Sequence, residues 1–136
     1  MAGATLDPGV YNCAVAIAGV SDLDSMVAWE DDNTGYSNST TVQYWKRFMG
    51  DKSGWATVSP AKQAAKASCP LLLIHGTDDT VVPIQQSRLM ESALKAAGKT
   101  VEFVTYKGQD HWETVGTTRV DMMKAALDFL NRYNPA

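Results

Sequence analysis

The sequence has only two cysteines, Cys13 and Cys69, each within or beside an apolar segment and neither in a CxxC or Cys/His pattern at metal-ligand spacing. That scarcity argues against a disulfide framework and against a zinc site, and both residues read as buried thiols. Basic residues are also few: 12 Lys and Arg against 15 Asp and Glu leave a net charge of -3, with no basic stripe. The electrostatic footprint of a nucleic-acid binder is therefore missing. No apolar run approaches the roughly 20 residues that span a bilayer, which excludes a transmembrane helix and gives no reason to expect a membrane partner. Met1 to Thr5 lacks the basic segment followed by an apolar one that marks a secretory signal, and the compartment is not legible. Nothing repeats and no tract is of low complexity. What is present is an ordinary globular composition, 136 residues with 45% hydrophobic and 20% charged. One domain is expected, long enough to bury about two-thirds of its unfolded surface.

Three segments read as strands. Cys13 to Gly19 is a continuous run of small apolar residues, as expected of a strand covered on both faces. Pro70 to Gly76 has the same character and ends on a glycine that permits a sharp turn. Thr100 to Tyr106 sets Val101 and Phe103 on one face and Val104 and Tyr106 on the other. Between the second and third strands, Pro83 is placed as an early helical residue, Leu89, Ala93, Leu94 and Ala97 recur at helical spacing, and Gly98 is the stop. After the third strand, Thr118 to Asp121 resembles a capping box, and Val120, Met123, Leu127 and Leu130 form an apolar stripe ending before Asn134-Pro135. Strand, crossover helix and parallel strand make the βαβ unit, so the class is α/β, a parallel sheet of about three strands with flanking helices.

Ser21 to Ser68 reads differently. Trp29, Tyr36, Tyr44, Trp45, Phe48 and Trp55 are interleaved with Glu30-Asp31-Asp32-Asn33 and with Ser and Thr. The segment is expected to be an irregular excursion with one or two short helices, one around Thr41 to Met49. Its aromatics are read as a packed cap over the sheet edge and part of a pocket wall, and its acidic run as a solvated face.

Chemistry in open parallel sheets gathers beyond the carboxyl ends of the strands. After the second strand comes Gly76-Thr77-Asp78-Asp79-Thr80-Val81-Val82-Pro83, and after the third Gly108-Gln109-Asp110-His111-Trp112-Glu113. A carboxylate on one loop and an imidazole on the next suit a pair in which the acid fixes the tautomer of the base and stabilises its charged form. Asp78 and Asp79 are rival acids on this ground alone, and a carboxylate-rich turn or a cation site is the plain alternative. His75, at a strand end, reads as a packed, hydrogen-bonded histidine.

Tyr44 to Asp51, Ser59-Pro60, Cys69 to Pro83, Gln86-Ser87, Ala93 to Gly98 and His111, taken in order, resemble the carboxyl-terminal third of the prolyl oligopeptidase family of serine peptidases. The resemblance covers essentially the whole chain. It implies a partial α/β-hydrolase fold over residues 1-136 and a serine-peptidase activity on short peptides, without cofactor or metal. It places the catalytic acid on Asp79, because Asp79-x-x-Val82-Pro83 keeps the family spacing, and the base on His111. Trp112-Glu113 departs from the small residue that commonly follows the family histidine. By the same resemblance, Met1 to Ala4 matches the middle of the helix after the nucleophile, so the serine is expected upstream. No G-x-S-x-G occurs in the chain. Ser21 lies at the correct sheet edge but lacks the second glycine, and neighbouring Asp22 reads as a turn cap or a substrate contact.

Two functional classes follow. The chain is expected to be part of a serine hydrolase, either a peptidase or an esterase or dienelactone-type hydrolase of the same fold, inactive alone. As a separate module it is expected to self-associate through the open edge of its first strand.

Overall fold

The structure, a computed structural model, describes residues 1–35 and 39–135, so Tyr36 lies outside the described residues. Three parallel strands, β1 (Ala14–Ile17), β2 (Leu71–Gly76) and β3 (Val101–Tyr106), are ordered β1-β2-β3. Ala14 pairs with Leu71 and Leu71 with Val101, so all three strands run level and end on the same side. Helix α1 (Ala2–Leu6) precedes β1. The excursion carries α2 (Leu23–Thr34), α3 (Thr40–Met49), α4 (Trp55–Val58) and two 3-10 turns, Lys52–Gly54 and Pro60–Lys66. Helix α5 (Gln85–Ala96) joins β2 to β3, and α6 (Gly116–Tyr133) closes the described chain.

The continuous apolar run in β2 reflects its position. Every residue of the strand is buried, because it has a neighbour on both edges and helices on both faces. Its alternation sorts the core. Leu71 and Leu73 meet Met90 and Leu94 of α5, Ala4 of α1, and Ala64 and Ala67 of the second 3-10 turn. Leu72 and Ile74 point the other way, onto Met122 and Phe129 of α6. Val101 and Phe103 of β3 join the first layer and Val104 and Tyr106 the second, as the two-faced reading of that strand requires. A third cluster, Val27, Val42 and Trp55, belongs to the excursion alone.

Four sequence expectations are corrected. First, β1 is shorter than Cys13 to Gly19 and only partly covered; Ile17 is 40% exposed and Cys13 half-buried, because β2 occupies one edge only. Cys69 is buried, and that burial pushes its thiol pKa up. Second, α6 begins at Gly116 with Val115 as N-cap and no side-chain cap, so Thr118 to Asp121 is no capping box. Its inward face is Met122, Ala126, Phe129 and Tyr133. The stripe Val120, Met123, Leu127 and Leu130 faces outward, with the first three more than half exposed. Both sets have helical spacing, and β2 fits the one carrying the aromatic rings.

Third, Pro83 precedes α5 rather than opening it, and Leu89 is exposed while Met90 and Leu94 carry the packing. Gly98 does stop the helix. It is left-handed at φ 66°, its N–H reaches the Lys95 carbonyl, and the next N–H, Lys99, reaches back to Leu94 at 2.9 Å. Fourth, the excursion is largely helical. Of its aromatics Trp55 is packed, donating Nε1–H to the Gly50 carbonyl. Tyr44, Trp45 and Phe48 instead cluster on one another on an open face. In the acidic run Glu30 and Asp31 are half-buried and Asp32 exposed. Partial burial raises the Glu30 carboxyl, and Asp31 faces Lys46 at 3.8 Å.

Candidate active site

The loops after β2 and β3 are laced together by their backbones. Thr77 N–H donates to the Tyr106 carbonyl and Asp78 N–H to the Gln109 carbonyl. Gly108 N–H donates to Thr77 Oγ1 at 2.9 Å. Gly76 makes the approach possible: a Cβ there would lie 2.1 Å from the Gln109 carbonyl oxygen, a contact that only glycine avoids. Gly108, at φ 75°, turns the second loop back.

That lacing brings Asp79 and His111 together. Asp79 Oδ2 lies 2.8 Å from His111 Nδ1, so the sequence expectation of bonding reach between the two loops is met. Oδ1 of Asp79 accepts the N–H groups of Val81 and Val82, at 2.9 and 2.8 Å. The carboxylate side chain is fully buried, whereas the imidazole is 24% exposed. The carboxylate is thereby shut from solvent and the imidazole left reachable. A buried carboxylate is stable only when its oxygens are paired, and here both are.

Asp78, the rival, faces away. Its Oδ1 accepts from its neighbour Thr77 Oγ1 at 2.7 Å on the exposed side of the turn. Asp110 shapes the second loop, accepting Thr114 N–H at 3.1 Å and Thr114 Oγ1 at 2.9 Å. The Thr114 N–H holds the Asp110 carboxyl below its usual range. Glu113, in the same loop as His111, adopts a left-handed backbone, φ 53°, uncommon for a residue with a side chain. Trp112, the residue that departs from the family pattern, sets its ring edge-on to His111 at 5.3 Å between centroids, and is 73% exposed.

Ser21 is fully buried, and its hydroxyl is spent on the Gln86 carbonyl at 2.6 Å. Gln86 Oε1 in turn accepts the N–H groups of Ser21 and Asp22, each at 2.9 Å. Asp22 caps α2 through the Ser25 N–H and faces Lys62 at 3.2 Å. These residues latch the excursion to α5. The latch and the Trp112 contact were not legible in the sequence, because each joins residues that no local pattern relates.

The profile of the prolyl oligopeptidase family matches residues 1–135. Among curated relatives, a putative carboxymethylenebutenolidase of Methylorubrum extorquens is 34% identical over 70 residues, 52% of this chain and 24% of the relative. The uncharacterized peptidase YuxL of Bacillus subtilis is 30% identical over 98 residues, 71% of this chain and 13% of that protein. Among solved structures, a puromycin-hydrolyzing peptidase of Mycobacterium tuberculosis superposes with a TM-score of 0.78 at 24% identity, over 95% of this chain and 19% of that one. The chain therefore spans less than a quarter of each of these proteins. Three level strands with helices on both faces and site loops at their carboxyl ends make a partial α/β-hydrolase fold. The chain belongs to the prolyl oligopeptidase family.

Proposed function

We propose that this chain supplies the acid and base of a Ser-His-Asp triad, Asp79 and His111, in a serine peptidase that hydrolyses peptide bonds of short peptides. The observation that carries the reading is the 2.8 Å contact between buried Asp79 Oδ2 and partly exposed His111 Nδ1. With Nδ1–H donated to the carboxylate, Nε2 holds the basic lone pair. Nε2 takes the proton of a serine hydroxyl as that oxygen bonds to the scissile carbonyl carbon, and the imidazolium so formed faces Asp79. The same proton then passes to the leaving amine as the C–N bond breaks, and water repeats the cycle on the acyl-enzyme. The serine and its oxyanion donor belong to sequence outside these 136 residues, so the chain by itself is inactive.

A fluorophosphonate probe tests this directly. The 136-residue chain stays unlabelled, and a version extended upstream through a G-x-S-x-G is labelled. In the extended version Asp79→Asn lowers kcat by about 10⁴-fold. Labelling of both versions, or full activity of Asp79→Asn, overturns the assignment.

An esterase or dienelactone-type hydrolase is the second reading, favoured by the similarity to a protein named as a carboxymethylenebutenolidase. The acid and base serve either substrate class. Comparing hydrolysis of a peptide amide with that of an ester by the extended version separates the two.

Taken alone, the chain also presents β1 with a partner on one edge only and Ile17 outward. Such an edge recruits a further strand, and a second copy offers one. Light scattering at tens of micromolar then reports a dimer or larger, and a clean monomer refutes it.

A further inference from the structure

One buried imidazole has no part in the reaction just described. His75, the penultimate residue of β2, is wholly enclosed. Its Nδ1 lies 2.7 Å from Ser87 Oγ on α5, and its Nε2 lies 2.9 Å from the Val82 carbonyl oxygen. A carbonyl oxygen only accepts, so Nε2 carries the hydrogen. Nδ1 then accepts the Ser87 hydroxyl, and the neutral ring is satisfied at both nitrogens. The same Nε2 stands 3.3 Å from Asp79 Oδ2, the oxygen that accepts from His111.

We propose that His75 is a positioning residue whose electropositive Nε2–H edge, fixed in that tautomer by Ser87 and Val82 and standing 3.3 Å from Asp79 Oδ2, biases that oxygen electrostatically toward His111. The proposal rests on Asp79 and His111 being the working pair. The Val81 and Val82 amides hold Oδ1 only. A carboxylate turns easily about its last bond, where the torsional wells are broad. The positive edge of the His75 ring on the β2 side of Oδ2 narrows that freedom. It also sets a positive ring edge beside the oxygen that accepts from His111, which partly offsets the charge of a buried carboxylate. A histidine serving only to fill space between β2 and α5 needs none of this; its loss lowers stability and leaves the Asp79–His111 bond as it was.

The chain has two histidines, so ¹⁵N imidazole spectra of the 136-residue protein at neutral pH distinguish them, with His111→Gln as the assignment variant. His75 is expected as the Nε2–H tautomer, and the His111 Nδ1–H as a downfield proton that disappears in Asp79→Asn. His75→Leu removes the brace, and the His111 Nδ1–H is expected to exchange with water about two- to threefold faster, the low end of what one polar contact contributes. His75→Gln places an N–H near the position of Nε2 and restores the slower exchange. Ser87→Ala removes the hydroxyl on Nδ1 and leaves the ring held at Nε2 alone; the Nε2–H tautomer is kept, the Nδ1 resonance shifts, and His111 exchange also speeds. An Nδ1–H tautomer of His75 in the unaltered protein overturns the proposal. So does a His75→Leu spectrum with unchanged His111 exchange or, should that variant not fold, an unchanged Ser87→Ala spectrum. A His111 signal indifferent to Asp79→Asn sinks the pair itself along with the brace. A signal that answers to Asp79→Asn but not to the His75 and Ser87 changes sinks the brace alone.

Discussion

The two connections that leave the sheet on its way from β1 to β3 are built on opposite plans. From β2 to β3 the chain uses one helix, α5, whose buried residues Met90 and Leu94 pack into the same layer as Leu71 and Leu73. From β1 to β2 it uses α2, α3, α4 and two 3-10 turns, with a core of their own, Val27, Val42 and Trp55. His111 follows β3, and Asp79 stands on the first connection. The second reaches it through a polar latch, in which Gln86 receives Ser21 and Asp22, and through Ala64 and Ala67, which pack into the layer of Met90 and Leu94. The contrast teaches that Asp79 and His111 are anchored to the sheet, and that α2, α3 and α4, with a cluster of their own, are clipped beside it.

The sharpest way to break that comparison is a pair of cavity variants. Leu73→Ala, in the fully buried centre of β2, is expected to cost about 2–5 kcal/mol of global stability in urea unfolding. Trp55→Ala removes a larger side chain, worth about 3–5 kcal/mol in its own cluster. Its effect is expected to stay local: hydrogen exchange speeds at Val42 while the amides of Leu71 to Ile74 keep their protection. Equal loss of protection in both regions dissolves the distinction.

Next in size is Gly76→Ala. The added methyl collides with the Gln109 carbonyl, and a loss of about 1–3 kcal/mol is expected, together with loss of the Asp79–His111 proton signal. Retention of that signal means the loops meet without the glycine. Gln86→Leu is expected to cost about 1–3 kcal/mol by leaving the buried Ser21 and Asp22 amides without an acceptor, and to loosen α2 more than α5. The smallest effect concerns Asp110. Its folded carboxyl lies below the ordinary aspartate value because of the Thr114 N–H. The contribution is therefore present above the unfolded value and is lost as pH falls below about 4 and through the folded one. Over that range the Thr114 amide is expected to exchange faster, and Asp110→Asn to flatten the dependence.

The strands and the site loops were readable in advance for different reasons. β2 and β3 announce themselves because both faces of each are apolar, and a run such as Leu71-Leu72-Leu73-Ile74 has few other uses. The proximity of Asp79 and His111 was readable because parallel strands deliver successive loops to one edge, and the family resemblance chose Asp79 over Asp78. The terminal helix was misread in its facing. Val120, Met123, Leu127 and Leu130 and the set Met122, Ala126, Phe129 and Tyr133 are two helical stripes on one segment, and only the partner surface of Leu72 and Ile74 selects between them. α2 was missed because acidic and apolar residues alternate in it without a clear face, and its N-cap Asp22 looks like any turn aspartate. His75 was read correctly as a packed histidine. Its approach to Asp79 is a tertiary fact that no spacing records.

The level arrangement of the strands also bears on how the chain acquires its shape. Leu71 sits between Val101, reached across a single helix, and Ala14, reached only after the whole excursion. Closing the shorter loop costs less entropy, so β2 and β3 are expected to zip first and to offer β1 a finished surface. On a ribosome, however, β1 emerges before its partner has been made. The edge of β1 that β2 will cover is therefore open throughout the synthesis of the excursion, the interval in which a chaperone would have most to shield.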